Sequence, residues 1–328
     1  MKILLKGFGS IGKRHASNLL ALGYTDLVII TSKSTLGDGL DHLLKYRSVQ
    51  EAADNHTGFT HGFICSPTAF HMSDLKAFLK VGIPNIYIEK PVSHTLDFCI
   101  DLGHEIQQSN TRVQVGFDLH FDPGLMKAKE IIESGEIGKI LSANAFVGQY
   151  LPDWRPYEDH RKGMSASIEK GGGVMLDLVH EFDYLRWIMG LPAKICAIYQ
   201  SNPLLEIETE DVSDILIQFS NGATASLHLD YHQRDLIRNC VFTGEKGTLI
   251  WDLAKKSISL TREDRSTSIF DFSEFERNDR YVQIVKSFIE KPNDLRLTSF
   301  NEALVSLRMV LDSKKSSDTS SVIEFKKI

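Results

Sequence analysis

Three glycines near the start of the sequence have the spacing of a phosphate-binding turn, Gly-x-Gly-x-x-Gly. In such a turn the first glycine permits a tight bend, the second lets the backbone approach a pyrophosphate, and the third lets a helix pack closely on a strand. The amino end of that helix then offers free N–H groups to the phosphates. The pattern predicts a dinucleotide site, the alternative being a glycine-rich turn without a ligand. The predicted cofactor contacts within the turn are Gly7, Gly9, Ser10, Ile11 and Gly12.

The residues after the second apolar run bear on which dinucleotide is bound. An NAD site usually has an acidic residue at the end of this strand, where it holds the ribose 2′-hydroxyl. Here Leu27–Ile30 is followed by Thr31, Ser32 and Lys33, and Asp26 lies at the opposite end of the run. Hydroxyl groups and a cation can hold a 2′-phosphate, which a carboxylate would repel. The sequence therefore favours NADP(H) over NAD(H), unless Lys33 is only a solvated loop cation.

The segment Glu89-Lys90-Pro91 follows another apolar run, Asn85–Ile88. At the carboxyl end of a strand in an open parallel sheet, side chains face the ligand crevice. A lysine at such a place can hydrogen-bond a substrate hydroxyl group and help its proton leave. Lys90 is therefore a candidate catalytic and substrate-binding residue. The alternative is an ordinary charged pair at a strand end, followed by a proline turn.

Asp177 and His180 lie in a stretch, Val174–Met189, that has the pattern of one helix after a glycine run. Because they are three residues apart, they are expected to share a helix face. An imidazole exchanges a proton near neutral pH, and a carboxylate beside it can orient it or bind a substrate hydroxyl. One alternative is a helix-start carboxylate with a surface histidine. Another is a metal site with Asp183, but we predict no metal, since no cysteine or second histidine has a fitting spacing.

A loop rich in aromatic and cationic side chains precedes that helix. Trp154 and Tyr157 offer faces for a sugar ring. Arg155 and Arg161 could grip a carboxylate or a phosphate in bidentate fashion. The alternative is a packed loop with solvated charges.

The elements that must position these residues fall into two sections. Up to residue 121, short apolar runs alternate with amphipathic stretches, which predicts a doubly wound parallel sheet of the Rossmann type. From residue 122 to 328 the strands are longer and alternate with period two, and Asn221-Gly222 marks a hairpin. This section predicts an α/β domain with a large, mostly antiparallel open sheet. Two helices near 280–290 and 299–312 follow, then a polar connector, Ser313–Ser321, and a short final strand.

The composition excludes several classes of function. The net charge is −6, so the chain lacks the basic excess that a nucleic acid partner requires. No apolar run approaches the length of a membrane span. The four cysteines lie far apart without a Cys-x-x-Cys pair. This spacing argues against a zinc site or a disulfide framework and predicts reduced thiols in the cytoplasm.

Taken in order, the motifs resemble those of the Gfo/Idh/MocA family, named for glucose-fructose oxidoreductase and inositol dehydrogenase. The resemblance covers nearly the whole chain. It rests on the glycine turn, Cys65-Ser66-Pro67-Thr68 with His71, Glu89-Lys90-Pro91, Gly116-Phe117-Asp118, Phe121-Asp122-Pro123, and Gly171-Gly172-Gly173 with the helix after it. The further cofactor contacts that it implies are Cys65, Ser66, Pro67, His71, Glu89 and Lys90.

The resemblance also implies that Lys90, Asp177 and His180 surround the reactive carbon. The family's usual spacing is Asp-x-x-x-His, whereas this chain has Asp-x-x-His. The shorter spacing rotates the histidine and leaves open whether it transfers the proton or only contacts the substrate. His120 stands where many relatives have an arginine and is a further candidate substrate contact. The loop with Trp154, Arg155 and Tyr157, also candidate substrate contacts, is similar to that of members associated with surface polysaccharide and nonulosonic acid biosynthesis.

These observations predict an NAD(P)-dependent dehydrogenase or reductase. It would move a hydride to or from a carbinol or keto carbon of a sugar, a cyclitol or a nucleotide-sugar. An exposed sheet face needs cover, so a homodimer or homotetramer through the C-terminal sheet is expected. Two alternatives remain. An NAD-assisted glycosidase or eliminase would have the same fold, and a non-catalytic regulator would bind the same dinucleotide.

Overall fold

The computed structural model describes residues 1–326, which form two compact units. One comprises Met1–Asp118 and Asn278–Leu304, and the other comprises Leu119–Arg277 and the chain from Val305. The return of residues 278–304 to the first unit is a feature that the sequence pattern does not predict. No helix among the described residues combines the length and the apolar character needed to cross a bilayer.

The regular elements of residues 1–326 alternate in the first part of the chain and are mainly strands in the second. The helices are α1 (Ser10–Ala21), α2 (Val49–Asn55), α3 (His71–Lys80), α4 (Cys99–Gln108), α5 (Pro123–Glu133), α6 (Val174–Asp177), α7 (His180–Met189), α8 (Arg277–Glu290) and α9 (Phe300–Thr319). The strands are β1 (Lys2–Lys6), β2 (Leu27–Ile30), β3 (Leu44–Tyr46), β4 (Phe59–Ile64), β5 (Asn85–Glu89), β6 (Arg112–Gly116), β7 (Ile140–Gly148), β8 (Pro192–Gln200), β9 (Val212–Phe219), β10 (Thr224–Asp230), β11 (Ile237–Gly244), β12 (Gly247–Asp252), β13 (Ser257–Arg262), β14 (Thr267–Asp271), β15 (Thr298–Ser299) and β16 (Ile323–Glu324).

The first unit is built on a sheet with the strand order β15-β6-β5-β4-β1-β2-β3. Neighbouring strands are parallel except β15, which is antiparallel to β6. The middle residues of β1, β2 and β5 are buried. Strands covered on both faces read as continuous apolar runs, which is why the sequence shows them clearly. The predicted Rossmann arrangement is confirmed. The short, mostly exposed β3 is an addition to it.

Helix α1 shows how a helix meets this sheet. Its buried residues include Gly12, His15, Ala16 and Leu19, spaced by three and four along the chain. This spacing places them in one stripe on the helix. The glycine and the alanine allow a close approach, and the histidine brings a polar group into the buried face.

The second unit is built on a sheet with the order β14-β13-β12-β11-β7-β10-β9-β8-β16. Its neighbours are antiparallel except β10 and β7, which are parallel. The predicted mostly antiparallel sheet is confirmed, and the Asn221-Gly222 turn joins β9 to β10 with Gly222 at a φ of +89°. Strands β13 and β14 were not predicted, because their alternating side chains are largely polar.

The prediction of a polar connector at Ser313–Ser321 is wrong, because α9 continues to Thr319. Two serines in this segment face the sheet. Ser316 and Ser317 accept hydrogen bonds from the backbone amides of Ala197 and Tyr199 in β8, at 3.0 and 3.1 Å. The hydroxyl groups thus take the place of a neighbouring strand, and a polar composition is compatible with a packed helix end.

Candidate active site

The glycine turn between β1 and α1 has the close backbone contacts that its spacing requires. Gly7 has a φ of +92°, and a Cβ atom there would lie 2.5 Å from the Ser66 amide nitrogen. A Cβ atom at Gly12 would lie 2.0 Å from the Gly7 carbonyl oxygen. Gly9 differs, since a Cβ atom there would meet nothing within 4 Å, and no side chain caps the helix that begins at Ser10. The turn therefore offers open space beside a helix N-terminus, which fits the pyrophosphate of a dinucleotide.

The loop after β2 carries the predicted ribose contacts. Thr31 is buried, whereas Ser32 and Lys33 are exposed. The Thr31 amide donates to the carbonyl oxygen of Tyr46 at 3.0 Å, so the carboxyl end of β3 lies beside this loop. No carboxylate occurs in the loop segment from Thr31 to Ser34.

Two further cations, neither of them predicted from the sequence, reach the same loop: Lys45 from β3 and Arg47 from the residue directly after β3. The Arg47 guanidinium donates from Nη1 to the Ser32 carbonyl oxygen at 2.5 Å. The Lys45 ammonium donates to the carbonyl oxygen of Ser34. With Lys33, they place three cationic groups on one exposed loop. The signal that could have found them is the pairing of β2 with β3, which places Lys45 beside Ile29.

His71 joins two of the loops at the carboxyl edge of this sheet. Its Nδ1 lies 2.9 Å from the Pro91 carbonyl oxygen, and its Nε2 lies 2.9 Å from the Ser66 carbonyl oxygen. The Ser66 hydroxyl donates to Asp74 at 2.6 Å. Burial raises the pKa of the Cys65 thiol well above its usual value, so this cysteine stays protonated. His71 uses both ring nitrogens on the backbone, and its contact with the cofactor stays a prediction.

The Glu89-Lys90-Pro91 corner follows β5, which lies between β4 and β6. The Lys90–Pro91 peptide bond is cis, and Lys90 is half-buried. Gly7 directly follows β1, and β4 lies between β1 and β5 in the sheet. Because all these strands are parallel, the glycine turn and Lys90 lie at the same edge of one sheet.

The helix expected over Val174–Met189 is interrupted, so the expectation that Asp177 and His180 share a helix face is wrong. Asp177 is the last residue of α6, and His180 is the first residue of α7. Between them Leu178 has φ and ψ of −100° and 33°, outside the α-helical region. No glycine or proline marks the break. Side chains from elsewhere in the second unit bind on each side of the break: Tyr231 bonds to Asp177 of α6, and Arg238 bonds to Glu181 of α7.

Asp177 is held by a tyrosine that the sequence analysis did not identify. The Tyr231 hydroxyl donates to Asp177 Oδ2 at 2.6 Å, and both side chains are buried. Burial raises the pKa of Tyr231 well above its ordinary value, and the adjacent Asp177 carboxylate raises it further. The phenol therefore remains a donor, which fixes one carboxylate oxygen. Trp154 packs edge-on against Tyr231 at 5.4 Å between ring centroids, which brings one predicted substrate contact to this cluster.

The start of α7 is anchored by His120, which the sequence analysis proposed as a substrate contact. The His120 imidazole lies 2.7 Å from Asp183 and stacks on Trp187 at 4.0 Å, and it is almost fully buried. Burial by itself raises the pKa of Asp183, but His120 and Arg186 bring it below its ordinary value. His120 therefore contacts the first turns of the helix that begins at His180. Its contact with substrate stays a prediction.

The predicted substrate contacts in the loop before α6 differ in how closely they are paired with other residues of the protein. Arg161 is paired with Asp159 and Glu206, both at 2.9 Å. Arg155 lies 4.0 Å from Glu158, and Tyr157 is 75% exposed. Arg155 and Tyr157 are therefore the more available of these side chains for a ligand.

The predicted site residues form one group in each unit. In the first unit they follow the carboxyl ends of β1, β2, β4 and β5: Gly7, Gly9, Ser10, Ile11, Gly12, Thr31, Ser32, Lys33, Cys65, Ser66, Pro67, Glu89 and Lys90. In the second unit Trp154, Tyr231 and Asp177 form a contact chain, and His180 begins the next helix.

Two family models match the sequence. The first, described as "Oxidoreductase family, NAD-binding Rossmann fold", matches residues 1–117. The second, described as "GFO/IDH/MocA C-terminal domain", matches residues 125–250. Together they cover most of the chain.

Individual relatives agree with these models. The uncharacterized oxidoreductase YrbE of Bacillus subtilis is 30% identical over 240 residues, which are 67% of this chain and 64% of YrbE. The match thus spans slightly less than two thirds of that protein. The myo-inositol 2-dehydrogenase of Thermotoga maritima is 25% identical over 100% of this chain and 99% of its own length. Levoglucosan dehydrogenase in complex with NADH superposes with a TM-score of 0.86 at 17% identity, over 100% of both chains, which shows the shared fold.

Proposed function

Because this chain belongs to the Gfo/Idh/MocA family of oxidoreductases, we propose that it transfers a hydride to or from a carbinol or keto carbon of a sugar, a cyclitol or a nucleotide-sugar. The observation that carries this proposal lies within the first unit. A ligand-ready glycine turn and Lys90 occupy the same carboxyl edge of one parallel sheet. The family description supplies the NAD-binding Rossmann fold.

Each candidate residue has a distinct part in the proposed reaction. The nicotinamide dinucleotide, when bound, supplies or accepts the hydride at C4 of its ring. Lys90 accepts the proton of the substrate hydroxyl group in oxidation and returns it in reduction. Asp177, whose carboxylate is oriented by Tyr231, binds a substrate hydroxyl. His180 serves as a second proton-transfer group or as a substrate contact.

We further propose NADP(H) as the preferred cofactor. The segment Thr31–Ser34, directly after β2, has no carboxylate to hold a free ribose 2′-hydroxyl, and Lys33, Lys45 and Arg47 surround it with positive charge. An arginine at this position accommodates a 2′-phosphate in other dinucleotide-binding folds. The preference rests on this loop alone, since a relative of the same fold was solved with NADH.

The sugar-like substrate class follows from the second unit and from the relatives. Trp154 offers an aromatic face at the Asp177 cluster, and the same loop carries the cation Arg155 and the exposed Tyr157. Relatives named for myo-inositol and D-xylose act on polyhydroxylated rings and chains. A role in surface polysaccharide biosynthesis, which the loop resemblance suggested, stays a prediction.

The test is net cofactor turnover by the purified chain. We expect cyclitols, aldoses or nucleotide-sugars with oxidised dinucleotide to produce a steady rise in the near-ultraviolet absorbance of reduced nicotinamide. A rise that appears and then vanishes while substrate is cleaved would instead support the glycosidase or eliminase alternative. Dinucleotide binding without turnover on a broad polyol panel would support the regulator.

We also propose that two copies associate through the open face of the second unit's sheet. Ile198, Leu216, Ile250 and Ile269 are exposed apolar residues on its strands. Cross-strand pairing runs from Ile250 through β11, β7 and β10 to Leu216, so these two residues lie on one face. Large apolar side chains exposed on one open sheet face favour cover by a second copy. Light scattering should give at least a dimer, which Leu216→Glu with Ile250→Glu dissociates, and a monomeric parent chain would contradict the proposal.

A further inference from the structure

A buried pair of polar side chains lies at the carboxyl edge of the first unit's sheet, and it joins Glu89, a predicted cofactor contact, to a histidine with no role assigned so far. His15, on α1, has its Nε2 atom 2.6 Å from Glu89 Oε1, at the end of β5. Their side chains are 0% and 9% exposed. Buried pairs of this kind contribute little net stability, because desolvation offsets their attraction. The pair is therefore weak evidence for stability and a candidate for a positioning role.

The surroundings lock both side chains in place. The Tyr87 hydroxyl donates to the same Glu89 oxygen at 3.3 Å. The His15 ring meets the Tyr87 ring edge-on, with 5.3 Å between centroids. A Cβ atom at Gly116 would lie 2.3 Å from the Tyr87 hydroxyl oxygen and 3.2 Å from Glu89. The pair is therefore a fixed link between α1 and the end of β5.

This link joins the two parts of the proposed active site that the first unit supplies. The amino end of α1 forms the glycine turn, and Glu89 directly precedes Lys90. We propose that His15 and Glu89 are positioning residues. They hold the Lys90 amine at a fixed place relative to the dinucleotide that binds at the glycine turn. This inference rests on the proposed function of Lys90.

The charge on Glu89 gives the link a second consequence. Burial by itself raises the pKa of Glu89, but the hydrogen bond from His15 and the interactions with His15, Lys90 and His71 bring it below its ordinary value. Glu89 is therefore an ionised neighbour of the Lys90 ammonium. The titratable groups around this carboxylate and its Tyr87 partner are His15 on α1, Cys65 after β4, His71 on α3, Lys90, Asp118 after β6 and Tyr281 on α8.

The two partners should affect Lys90 differently. Without His15, Glu89 loses the hydrogen-bond donor that fixes it, so the Lys90 amine is less well placed relative to the glycine turn and kcat falls. Without the negative charge of Glu89, the ammonium gives up its proton more readily. A loss of packing alone would not move the pH profile of the Glu89 variant in that direction.

The experiment compares His15→Phe and Glu89→Gln, with His61→Phe as the matched control. His61 is a buried histidine of β4 that packs against Phe288 in the same unit. For alcohol oxidation, the acidic limb of the kcat profile should move to lower pH by about one pH unit in E89Q. At neutral pH kcat should fall about ten-fold in H15F, as expected for a slightly misplaced catalytic group.

Two further measurements separate positioning from folding. The Kd of unreacted dinucleotide, measured by fluorescence, should stay within about three-fold of the parent value in H15F, because the glycine turn is unchanged. His15→Gln, which keeps an N–H donor, should restore most of the parent kcat even if the phenylalanine variant is unstable. H61F should leave both the profile and the Kd unchanged.

Distinct results overturn the inference and the proposed function. An acidic limb in E89Q that stays in place or moves to higher pH, or a kcat for H15F equal to that of H61F, would overturn the positioning role. So would H15Q failing to restore kcat. If the parent chain has no hydride transfer, or if replacing Lys90 leaves turnover intact, the proposed function itself fails. An inactive Lys90 variant beside unperturbed H15F and E89Q profiles would reject only the positioning role.

Discussion

Replacing Lys90 with alanine is expected to lower kcat by about a thousand-fold, within the range known for loss of a general acid or base. The side chain follows β5 at the edge where the glycine turn lies, so it is the candidate base of the first unit. The dinucleotide should still bind, because its predicted phosphate contacts come from the turn and the N-terminus of α1. Initial rates over a range of pH, with cofactor affinity by fluorescence and thermal melting, provide the measurement.

A second variant at the same position tests the chemistry more narrowly. Lys90→Arg keeps the positive charge but cannot release its proton at ordinary pH. It should therefore be nearly as inactive as the alanine variant while binding substrate better. If K90A kept more than about a tenth of the parent kcat, another group would have to carry the proton, and Lys90 would not be the base.

Replacing Arg47 with alanine is expected to weaken NADP(H) binding by about ten- to a hundred-fold, the equivalent of one or two hydrogen bonds to a charged group. The same change should leave NAD(H) binding within about two-fold, because NAD lacks the 2′-phosphate. The reason is the position of Arg47 directly after β3, with its guanidinium against the Ser32 carbonyl oxygen. Titration with NADP, NAD and adenosine 2′-monophosphate gives the three affinities.

The control for this prediction is Lys76→Ala, which removes an exposed cation of α3 in the same unit. It should leave both affinities unchanged, since a general loss of positive charge has only a small, screened effect. A parent chain that binds NAD more tightly than NADP would contradict the cofactor preference. Equal losses for both dinucleotides in R47A would show that Arg47 only supports the loop.

Much of the second unit's site depends on contacts between distant parts of the chain. The break between Asp177 and His180 has no glycine or proline in its sequence, and Glu181 is held by two hydrogen bonds from Arg238, at 2.7 and 2.9 Å. Tyr231 reaches Asp177 from the end of β10. A pattern that depends on residues far apart in sequence cannot be detected from local periodicity.

By itself the sequence determined the features that depend on local sterics and burial. The glycine turn was predictable because a Cβ atom at Gly7 or Gly12 would collide with backbone, and the parallel strands because burial on both faces makes them continuously apolar. Only the tertiary structure decided that α9 continues into the Ser313–Ser321 segment. It alone also decided the approach of Arg47 to the loop after β2. It also decided the pairing of His15 with Glu89. Each of these features depends on contacts between residues that are not neighbours in sequence. Such residues meet only when the sheets have formed.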